Sequence, residues 1–243
     1  MKSHSNSLFV EYGLRKNTLS WSGLSSWCWL DGTPPYSDFG CNFCFVEKNI
    51  LGFNDDNQNL VNGSLFHEVV EVAFTTGELL QEQIIYKPVG RLQRGRVIDC
   101  VAALNYLKSI GISGRDSFEQ WMNKDLTKFF RVIGKYDRYA DGVVTDFKTA
   151  SQRKKAIGNE AYFAQLQLYA FLLKEDKKKV EYIQLVYPEY EVQLTEPVNF
   201  DVGEFYFKRF SDLLIDFANV RIDELEPRCW FHKGNRFFRS RNG

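Results

Sequence analysis

An Asp-Gly pair near the middle of the chain constrains the fold more than any other feature of the sequence. Asp141-Gly142 separates two segments rich in β-branched and aromatic residues, 128–140 and 143–149. Such a pair between two strand-like segments is the strongest short-range signal for a β-hairpin with a type I′ turn, in which both loop residues adopt positive φ. The sequence therefore predicts two antiparallel strands joined by a two-residue loop.

The same hairpin predicts two facing carboxylates. With a two-residue loop, Asp137 pairs with Asp146 on one face, and their Cβ atoms are about 5 Å apart. Two carboxylates in that relation repel each other by roughly 3 kcal/mol at an effective dielectric near 20, which favours a shared proton or a cation between them. Because side chains alternate along a strand, Lys148 projects on the same face as Asp146. From these residues alone, a surface hairpin with scattered charges remains the alternative.

Hydrophobic periodicity and turn residues predict further elements on both sides of the hairpin. Helices are predicted over 60–74, 95–110, 116–126 and 159–174, and a last helix is predicted to start at Asp201. The third helix rests on a capping-box pattern, Asp116 followed by Glu119. Strands are predicted over 83–89, 180–187 and 191–195. This order predicts an α/β fold with a central mixed β-sheet and helices on both faces.

Length, charge and cysteine content exclude several classes of protein. The 243 residues suit one large domain or a core with an insertion. The net charge is zero, so any nucleic-acid footprint must be local; segment 227–243, with five basic residues and no acid, is either such a footprint or a solvated end. No apolar run reaches the ~18 residues of a membrane span. Five cysteines without a secretory signal predict an intracellular, cytoplasmic protein with no membrane partner.

Two helix motifs place further polar side chains on shared faces. In the first helix Gly63 and His67 lie four residues apart, so the missing side chain of Gly63 leaves space beside the imidazole. Glu71 follows one turn later on the same face. In the helix after the hairpin, Gln165 and Tyr169 share the polar face and suit contacts to a phosphate or a base. Taken alone, each motif is more typical of an ordinary helix face than of a binding site.

Four motifs occur together in one order: Gly63-x-x-x-His67, Gly134-Lys-Tyr-Asp137-Arg138, Asp146-Phe-Lys148-Thr149 and Gln165-x-x-x-Tyr169. This series resembles the RecB-like branch of the PD-(D/E)XK nuclease superfamily, including its CRISPR-adaptation-type exonucleases. The resemblance covers about residues 19–187. Residues 19–24 and Cys41-x-x-x-Phe45 also resemble the N-terminal helix of that family, although Cys41-Asn42 stands where the family usually has Cys-Pro.

The resemblance implies a single nuclease domain, residues 1–243, built on a restriction-endonuclease-like core. Residues 19–80 would form N-terminal helices that carry the Gly63/His67 motif, and residues 90–126 would form a helical insertion. Residues 128–187 would be the catalytic core, and residues 201–243 a C-terminal helix with a basic tail.

The resemblance also implies a metal centre. Asp137, Asp146 and Lys148 would be the catalytic residues. His67, Asp137, Asp146 and the Phe147 carbonyl would bind Mg²⁺ or Mn²⁺, since oxygen ligands suit Mg²⁺ and an added imidazole favours Mn²⁺. Lys148 would hold the attacking water or stabilise charge at the phosphate that is cut.

The substrate contacts implied by the resemblance lie on the neighbouring elements. Gln165, Tyr169 and Arg138 would position the DNA strand. Glu71 would be an outer partner of His67. DNA, as a single strand or a duplex end, is therefore the expected partner.

Four of the five cysteines have a spacing that suits a second kind of metal site: Cys28, Cys41, Cys44 and Cys229. Some RecB-like nucleases hold a 4Fe-4S cluster on one early and three late cysteines, whereas this chain has three early and one late. A 4Fe-4S cluster and Zn²⁺ on the same thiolates both remain open, and small buried hydrophobic side chains are the favoured interpretation. Cys100 lies in a predicted helix and is expected in the core.

Three functional hypotheses follow. The first is a metal-dependent DNA nuclease that hydrolyses phosphodiester bonds, as an exonuclease or structure-directed endonuclease in recombination, repair, phage replication or CRISPR adaptation. The second is a non-catalytic DNA-binding or assembly module on the same fold, and the third is a redox or structural metal module built on the cysteines. Because some relatives in that branch form rings, a homo-oligomer is a further hypothesis. A recombination or CRISPR protein is the alternative partner. A cellular or a phage-encoded origin stays open.

Overall fold

The computed structural model describes residues 14, 17–27, 29, 41–51, 58–87, 95–150, 152–153 and 160–220. The strands are β1 (Thr18–Ser20), β2 (Gln83–Tyr86), β3 (Arg96–Asp99), β4 (Ser117–Asp125), β5 (Arg131–Ala140), β6 (Val143–Phe147), β7 (Tyr182–Tyr187) and β8 (Val192–Pro197). The helices are α1 (Trp21–Ser26), α2 (Asn42–Val46), α3 (Gln58–Thr75), α4 (Cys100–Ser109), α5 (Glu160–Glu175) and α6 (Phe200–Asn219). A π-helical segment (Glu47–Leu51) follows α2, and a 3₁₀ turn (Pro188–Tyr190) follows β7.

Six strands form a mixed β-sheet. Strands β1, β5, β6, β7 and β8 follow one another across it, and β4 also pairs with β5. The pairs β1–β5 and β6–β7 are parallel, whereas β5–β6 and β7–β8 are antiparallel. Strands β2 and β3 form a separate antiparallel ribbon, and α5 packs against β6 and β7. The predicted α/β fold with a central mixed sheet and flanking helices is confirmed.

The predicted hairpin is present with the predicted register. Strands β5 and β6 pair Ala140 with Val143, Tyr139 with Val144, and Arg138 with Thr145. The two loop residues have φ of 47° at Asp141 and 79° at Gly142. Positive φ at both positions is what a type I′ turn requires, and it matches the right-handed twist of the two strands.

The chain divides into two compact units. The first consists of Met1–Asn54, Asn123–Gly134 and Glu204–Gly243. In it, Trp27 packs edge-on against Phe45, with ring centroids 4.9 Å apart, and also contacts Phe217. The Trp27 indole donates a hydrogen bond to Asp216 Oδ2 at 3.4 Å. A buried indole whose N–H has a hydrogen-bond partner removes apolar surface from water and is held in one orientation.

The second unit consists of Asp55–Met122 and Lys135–Gly203. Its hydrophobic core joins buried side chains of α3, α4, β2, β3, β4, β6 and β7, among them Phe66, Leu107 and Phe147. Phe74 and Phe118 stack with ring centroids 5.5 Å apart. Burying a side chain of this size contributes roughly 1.5–3 kcal/mol, so this core holds α3 and the strands in fixed relation.

The segment predicted as a helical insertion, residues 90–126, is only partly helical. Its first described residues form strand β3, and the helix α4 starts at Cys100, with Asp99 Oδ1 accepting a capping bond from Ala102 N at 2.9 Å. The prediction of one helix over 95–110 was therefore wrong at its start. Pairing of β3 with β2 overrides local helix propensity there, since Ile98 pairs with Ile84 and both are buried.

The second predicted helix of that segment, 116–126, is strand β4. Asp116 does not cap a helix; its carboxylate accepts hydrogen bonds from Ser113 N and from Arg138 Nε. The strand is held by partners distant in sequence, as Ser117 Oγ hydrogen bonds with Tyr136 OH at 2.8 Å. The capping-box spacing is a short-range pattern that these tertiary contacts override.

The start of α6 also differs from prediction. Asn199, rather than Asp201, acts as the cap, because its Oδ1 accepts from Asp201 N and Val202 N. Asn199 N donates to Gln167 Oε1 of α5 at 2.8 Å. A Cβ on Gly203 would lie 2.4 Å from the Gln167 carbonyl oxygen, so only glycine permits this approach to α5. In the described part of the chain, no helix is long and apolar enough to cross a membrane.

Candidate active site

Three elements of the second unit bring an imidazole and two carboxylates together. His67 of α3 has its Nδ1 3.2 Å from Asp137 Oδ1 of β5 and 3.5 Å from Glu119 Oε1 of β4. A Cβ on Gly63, one turn before His67, would meet no atom within 4 Å, so the space predicted beside the imidazole is present. The predicted convergence of His67 with Asp137 is therefore found, and Glu119 is added to it.

The two carboxylates change the protonation of His67. Burial alone would lower the pKa of the imidazole, but the charge and hydrogen bond of Asp137 and the hydrogen bond of Glu119 outweigh it and raise the pKa to about 10. Burial opposes ionisation of Asp137, yet the charge and hydrogen bond of His67 hold the pKa of Asp137 below its usual value. In the metal-free protein, His67 is thus a cation that neutralises the carboxylates around it.

Asp146 and Lys148 form a second pair close to the first. Lys148 Nζ lies 2.6 Å from Asp146 Oδ2, and Asp146 is only 3% exposed. Burial raises the pKa of Asp146 to about 7, with Asp137 adding to the rise and Lys148 opposing it. Burial would lower the pKa of Lys148, but the charges of Asp146 and Asp137 raise it above its usual value. The ammonium is therefore a permanent positive charge.

The arrangement of Asp137 and Asp146 across the hairpin differs in detail from the predicted one. The paired register of β5 and β6 ends at Arg138 and Thr145, one pair before Asp137 and Asp146. Asp137 Oδ2 instead accepts a hydrogen bond from Phe147 N at 2.6 Å. This bond turns one oxygen of Asp137 toward β6 and leaves Oδ1 for His67, so the two carboxylates remain electrostatically coupled without sharing a ladder pair.

Glu119 is the site residue that the sequence interpretation missed. Its backbone has φ of 51°, a left-handed conformation that costs about 1–2 kcal/mol for a residue with a side chain. The Glu119 carboxylate also forms an ion pair with Lys135 Nζ. No local sequence signal identifies Glu119, because the Asp116/Glu119 spacing matches a helix cap rather than strand β4.

A cleft of about 520 Å³ opens at this cluster. It is lined by Ser64, His67, Glu68, Glu71, Glu119, Lys135 and Asp137. Glu71, predicted as an outer partner of His67, thus lies at the same cleft. Burial would lower the pKa of Lys135, but the hydrogen bond and charge of Glu119, followed by the charge of Glu71, raise it above its usual value. Acidic walls of this kind attract cations. Because they repel a phosphate, a cation must bind before a phosphate can approach.

Gln165 and Tyr169 lie near the Asp146–Lys148 pair, but not on an exposed polar face. Tyr169 is 6% exposed, and Gln165 Nε2 donates to its hydroxyl at 2.7 Å. Burial raises the pKa of Tyr169 to about 12, and the charge of Asp146 adds to the rise. Helix α5 is buried on most sides, which explains why a simple polar-face pattern failed there. Its predicted cap, Asn159, lies outside the described residues.

Arg138 is not brought to this cluster, and its role in positioning DNA stays a prediction. Its Nε donates to Asp116 Oδ2 at 2.6 Å and its Nη1 to Thr145 Oγ1 at 3.2 Å. Neighbouring residues of a strand point to opposite faces, so Arg138 is directed away from Asp137. Thr145 continues the hydrogen bonds across the sheet to Gln184 Oε1 at 3.2 Å. Arg138 therefore stabilises the sheet on its other face.

The backbone after Lys148 is held by several side chains. Ala150 N donates to Glu189 Oε1 at 2.5 Å, and the Ala150 carbonyl accepts from Arg96 Nη1 and from Tyr190 OH. Arg96 also pairs with Glu189 Oε2 at 2.8 Å. These contacts fix the chain two residues beyond Lys148, which limits the positions that its Nζ can reach.

The predicted cysteine site is only partly within the described residues. Cys28 and Cys229 lie outside them, whereas Cys41 is buried before α2 and Cys44 is half-buried within it. The cluster, zinc and packing hypotheses for these four residues therefore stay predictions. Cys100 is fully buried in the core of the second unit, as expected.

The donor atoms at the cluster fit a divalent cation. One atom each from His67, Glu119 and Asp137 lie within 4.8 Å of one another. Oxygen ligands of Mg²⁺ lie about 2.0–2.1 Å from the ion, so ligands on opposite sides are about 4.2 Å apart. One imidazole with carboxylate oxygens suits Mg²⁺ or Mn²⁺ rather than a soft metal. Asp146, a predicted ligand, is outside this group because its carboxylate is paired with Lys148.

Comparisons with known proteins bear on the fold and the family of this chain. A comparison with curated proteins gives no match. A solved structure from Eubacterium rectale, named as a candidate exonuclease, is 19% identical with a TM-score of 0.53, covering 92% of this chain and 90% of that one. A second, SSO0001, is 13% identical with a TM-score of 0.44, covering 88% and 80%. The first likeness supports a restriction-endonuclease-like core.

A protein-family model also matches most of the chain. Residues 40–224 match the family model of the PD-(D/E)XK nuclease superfamily. The matched span contains His67, Glu119, Asp137, Asp146 and Lys148, and it exceeds half of the chain. This protein therefore belongs to the PD-(D/E)XK nuclease superfamily.

Proposed function

We propose that this protein is a divalent-cation-dependent nuclease that hydrolyses phosphodiester bonds in DNA. The observation that carries the proposal is the grouping of three acids: Glu119 and Asp137 line the cleft with His67, and the charge of Asp137 acts on the buried carboxylate of Asp146 beside them. Each is balanced by a cation of the chain itself, Lys135, His67 or Lys148. Buried like charges of this kind are costly, and a site that binds and releases a metal ion is the simplest reason to keep them.

His67, Glu119 and Asp137 are the residues that would hold the cation, and Asp146 would join them once Lys148 leaves its carboxylate. The Phe147 carbonyl stays a predicted ligand, while its N–H is already used by Asp137. A bound Mg²⁺ or Mn²⁺ would supply positive charge beside the phosphate and acidify a water molecule. The left-handed backbone at Glu119 supports this assignment, because strained backbone concentrates at functional sites.

Lys148 acts as a fixed charge in this proposal. Its raised pKa keeps it protonated at all working pH values, so it stabilises negative charge at the phosphorus rather than accepting a proton. Tyr169 positions the strand: its oxygen accepts from Gln165 Nε2, which leaves the phenolic proton to be donated to a phosphate oxygen. The Tyr162 ring, 4.8 Å from Lys148 Nζ, limits the movement of the ammonium.

The finer assignment is to the RecB-like branch, which the four sequence motifs support. We propose an exonuclease or structure-directed endonuclease acting in recombination, repair, phage replication or CRISPR adaptation. The name of the Eubacterium rectale protein is in keeping with an exonuclease. The alternative, a non-catalytic DNA-binding module on the same fold, is less favoured because the chain retains His67, Glu119 and Asp137 at the cleft and the Asp146–Lys148 pair close to them.

Cleavage of end-labelled single-stranded and duplex DNA tests the proposal. Purified protein should cut DNA with Mg²⁺ or Mn²⁺ and should be inactive with EDTA. Circular substrates should resist an exonuclease and be opened by an endonuclease, and a labelled RNA strand serves as the substrate control. DNA binding without cleavage under every metal condition would instead support the non-catalytic module.

Glu119→Gln is expected to weaken Mn²⁺ binding by roughly 10- to 100-fold, because it removes one anionic oxygen from the donor set. Calorimetric titration of the DNA-free protein measures this directly. Glu196→Gln is the matched control, since it makes the same charge change at an exposed position of β8. Equal Mn²⁺ affinity in both variants and the unaltered protein would remove Glu119 from the site.

A further inference from the structure

Tyr187, at the end of β7, carries a buried hydroxyl that the proposed mechanism does not use. The residue is 1% exposed, and its hydroxyl has no hydrogen-bond partner among the described residues. A hydroxyl buried in this way is unfavourable unless a partner reaches it in some state of the protein. Phenylalanine would fill the same space without that cost, so the hydroxyl points to a partner that arrives during function.

The register of the sheet identifies the neighbour of this hydroxyl. Parallel strands β6 and β7 pair Asp146 with Leu185 and Phe147 with Val186. Lys148 N continues the ladder by donating to the Val186 carbonyl at 2.9 Å. One further step places Lys148 beside Tyr187, with both side chains on the face that carries Asp146.

The electrostatics of Tyr187 agree with this placement. Burial raises the pKa of Tyr187 to about 12, Tyr162 and Asp146 raise it further, and Lys148 opposes the rise. The phenol is therefore neutral and can accept a hydrogen bond from an ammonium group. Within the described ranges, the Lys148 ammonium contacts Asp146 Oδ2 at 2.6 Å and lies 4.8 Å from the ring of Tyr162.

We propose that the Tyr187 hydroxyl is the second partner of Lys148, accepting a hydrogen bond from its ammonium when the Asp146 carboxylate is engaged by a divalent cation. The inference rests on the proposed function, because it requires a cation that competes with Lys148 for Asp146. Tyr187 is then a positioning residue. Its hydroxyl lowers the free energy needed to separate Lys148 from Asp146. It also holds the ammonium within the site after the two have separated.

A double-mutant cycle on Mn²⁺ affinity tests this role in the full chain without DNA. Tyr187→Phe should weaken Mn²⁺ binding by roughly 10- to 100-fold, the value of one hydrogen bond to a charged group. Lys148→Met should bind Mn²⁺ more tightly than the unaltered protein, because it removes the competitor for Asp146. In the Lys148→Met background, Tyr187→Phe should change the affinity less than twofold.

Two controls distinguish a positioning role of Tyr187 from a purely structural one. Metal-free Tyr187→Phe should melt at the same or a higher temperature than the unaltered protein, since the hydroxyl has no partner to lose. Tyr182→Phe, on the same strand but 48% exposed, should leave Mn²⁺ affinity unchanged. Unchanged affinity in Tyr187→Phe, or equal weakening with and without Lys148, would overturn the inference. Absence of Mn²⁺ binding to the unaltered chain would overturn the proposed function and this inference with it.

Discussion

Asp146→Asn and Lys148→Met should each lower the rate of DNA cleavage by about 100- to 1,000-fold or more. Asparagine has nearly the shape of aspartate but offers no anionic oxygen to a cation. Methionine fills the volume of the Lys148 stem without its charge, so the phosphate loses a positive group beside it. Single-turnover cleavage of labelled DNA at saturating Mg²⁺ measures both effects, because product release then does not limit the rate.

The fold should survive both changes, which keeps the result interpretable. Among the described residues, Asp146 and Lys148 form an ion pair only with each other, so each variant leaves one charge without its partner. Melting curves should therefore shift while the far-UV spectrum stays the same. Lys108→Met, at an exposed position near the end of α4, is the matched control and should cleave normally. Full cleavage by Lys148→Met would show that another group provides the charge.

The affinity for Mn²⁺ should rise steeply with pH, by close to tenfold per unit between pH 7 and 8.5. The pKa of His67 is raised to about 10 in the metal-free protein, so the imidazole carries a proton across this range. A cation can bind Nδ1 only after that proton leaves. Below about pH 7, Asp146 also holds a proton, because burial raises its pKa to about 7, and the slope should steepen.

The direction of this pH dependence follows from the raised pKa of His67. A histidine with a raised folded-state pKa contributes stability that is fully present below pH 6.5 and is lost as the pH rises through about 10. Cation binding replaces that contribution, so protons and metal ions compete. Titration calorimetry in buffers of different ionisation enthalpy should show about one proton released per Mn²⁺ at pH 8. A pH-independent affinity with no proton release would remove His67 from the ligands.

The hairpin could be predicted from sequence because its determinants are local. Two adjacent residues that tolerate positive φ fix the turn, and the turn then fixes the register on both strands. Asp137, Asp146 and Lys148 follow from that register without knowledge of any other element. His67 required the helix pattern of α3 and the family resemblance, since nothing local links it to the hairpin.

Glu119 could not be predicted, because its position depends on distant partners. Strand β4 pairs with β5, and its Phe118 stacks on Phe74 of α3. The local pattern of Asp116 and Glu119 instead matches a helix cap. Arg138 lies apart from the cluster for a different reason: it is adjacent to Asp137 in the motif, but one step along a strand reverses the face.

Diffraction from crystals grown with Mn²⁺ tests the metal centre most directly, because anomalous scattering locates the ion independently of which residues are expected to bind it. The expected result is one strong peak in contact with His67 Nδ1 and with carboxylate oxygens of Asp137 and Glu119, at the acid-lined cleft. Lys148 should then have moved from Asp146. Manganese bound only elsewhere, at a concentration that supports DNA cleavage, would contradict a metal centre at this cluster.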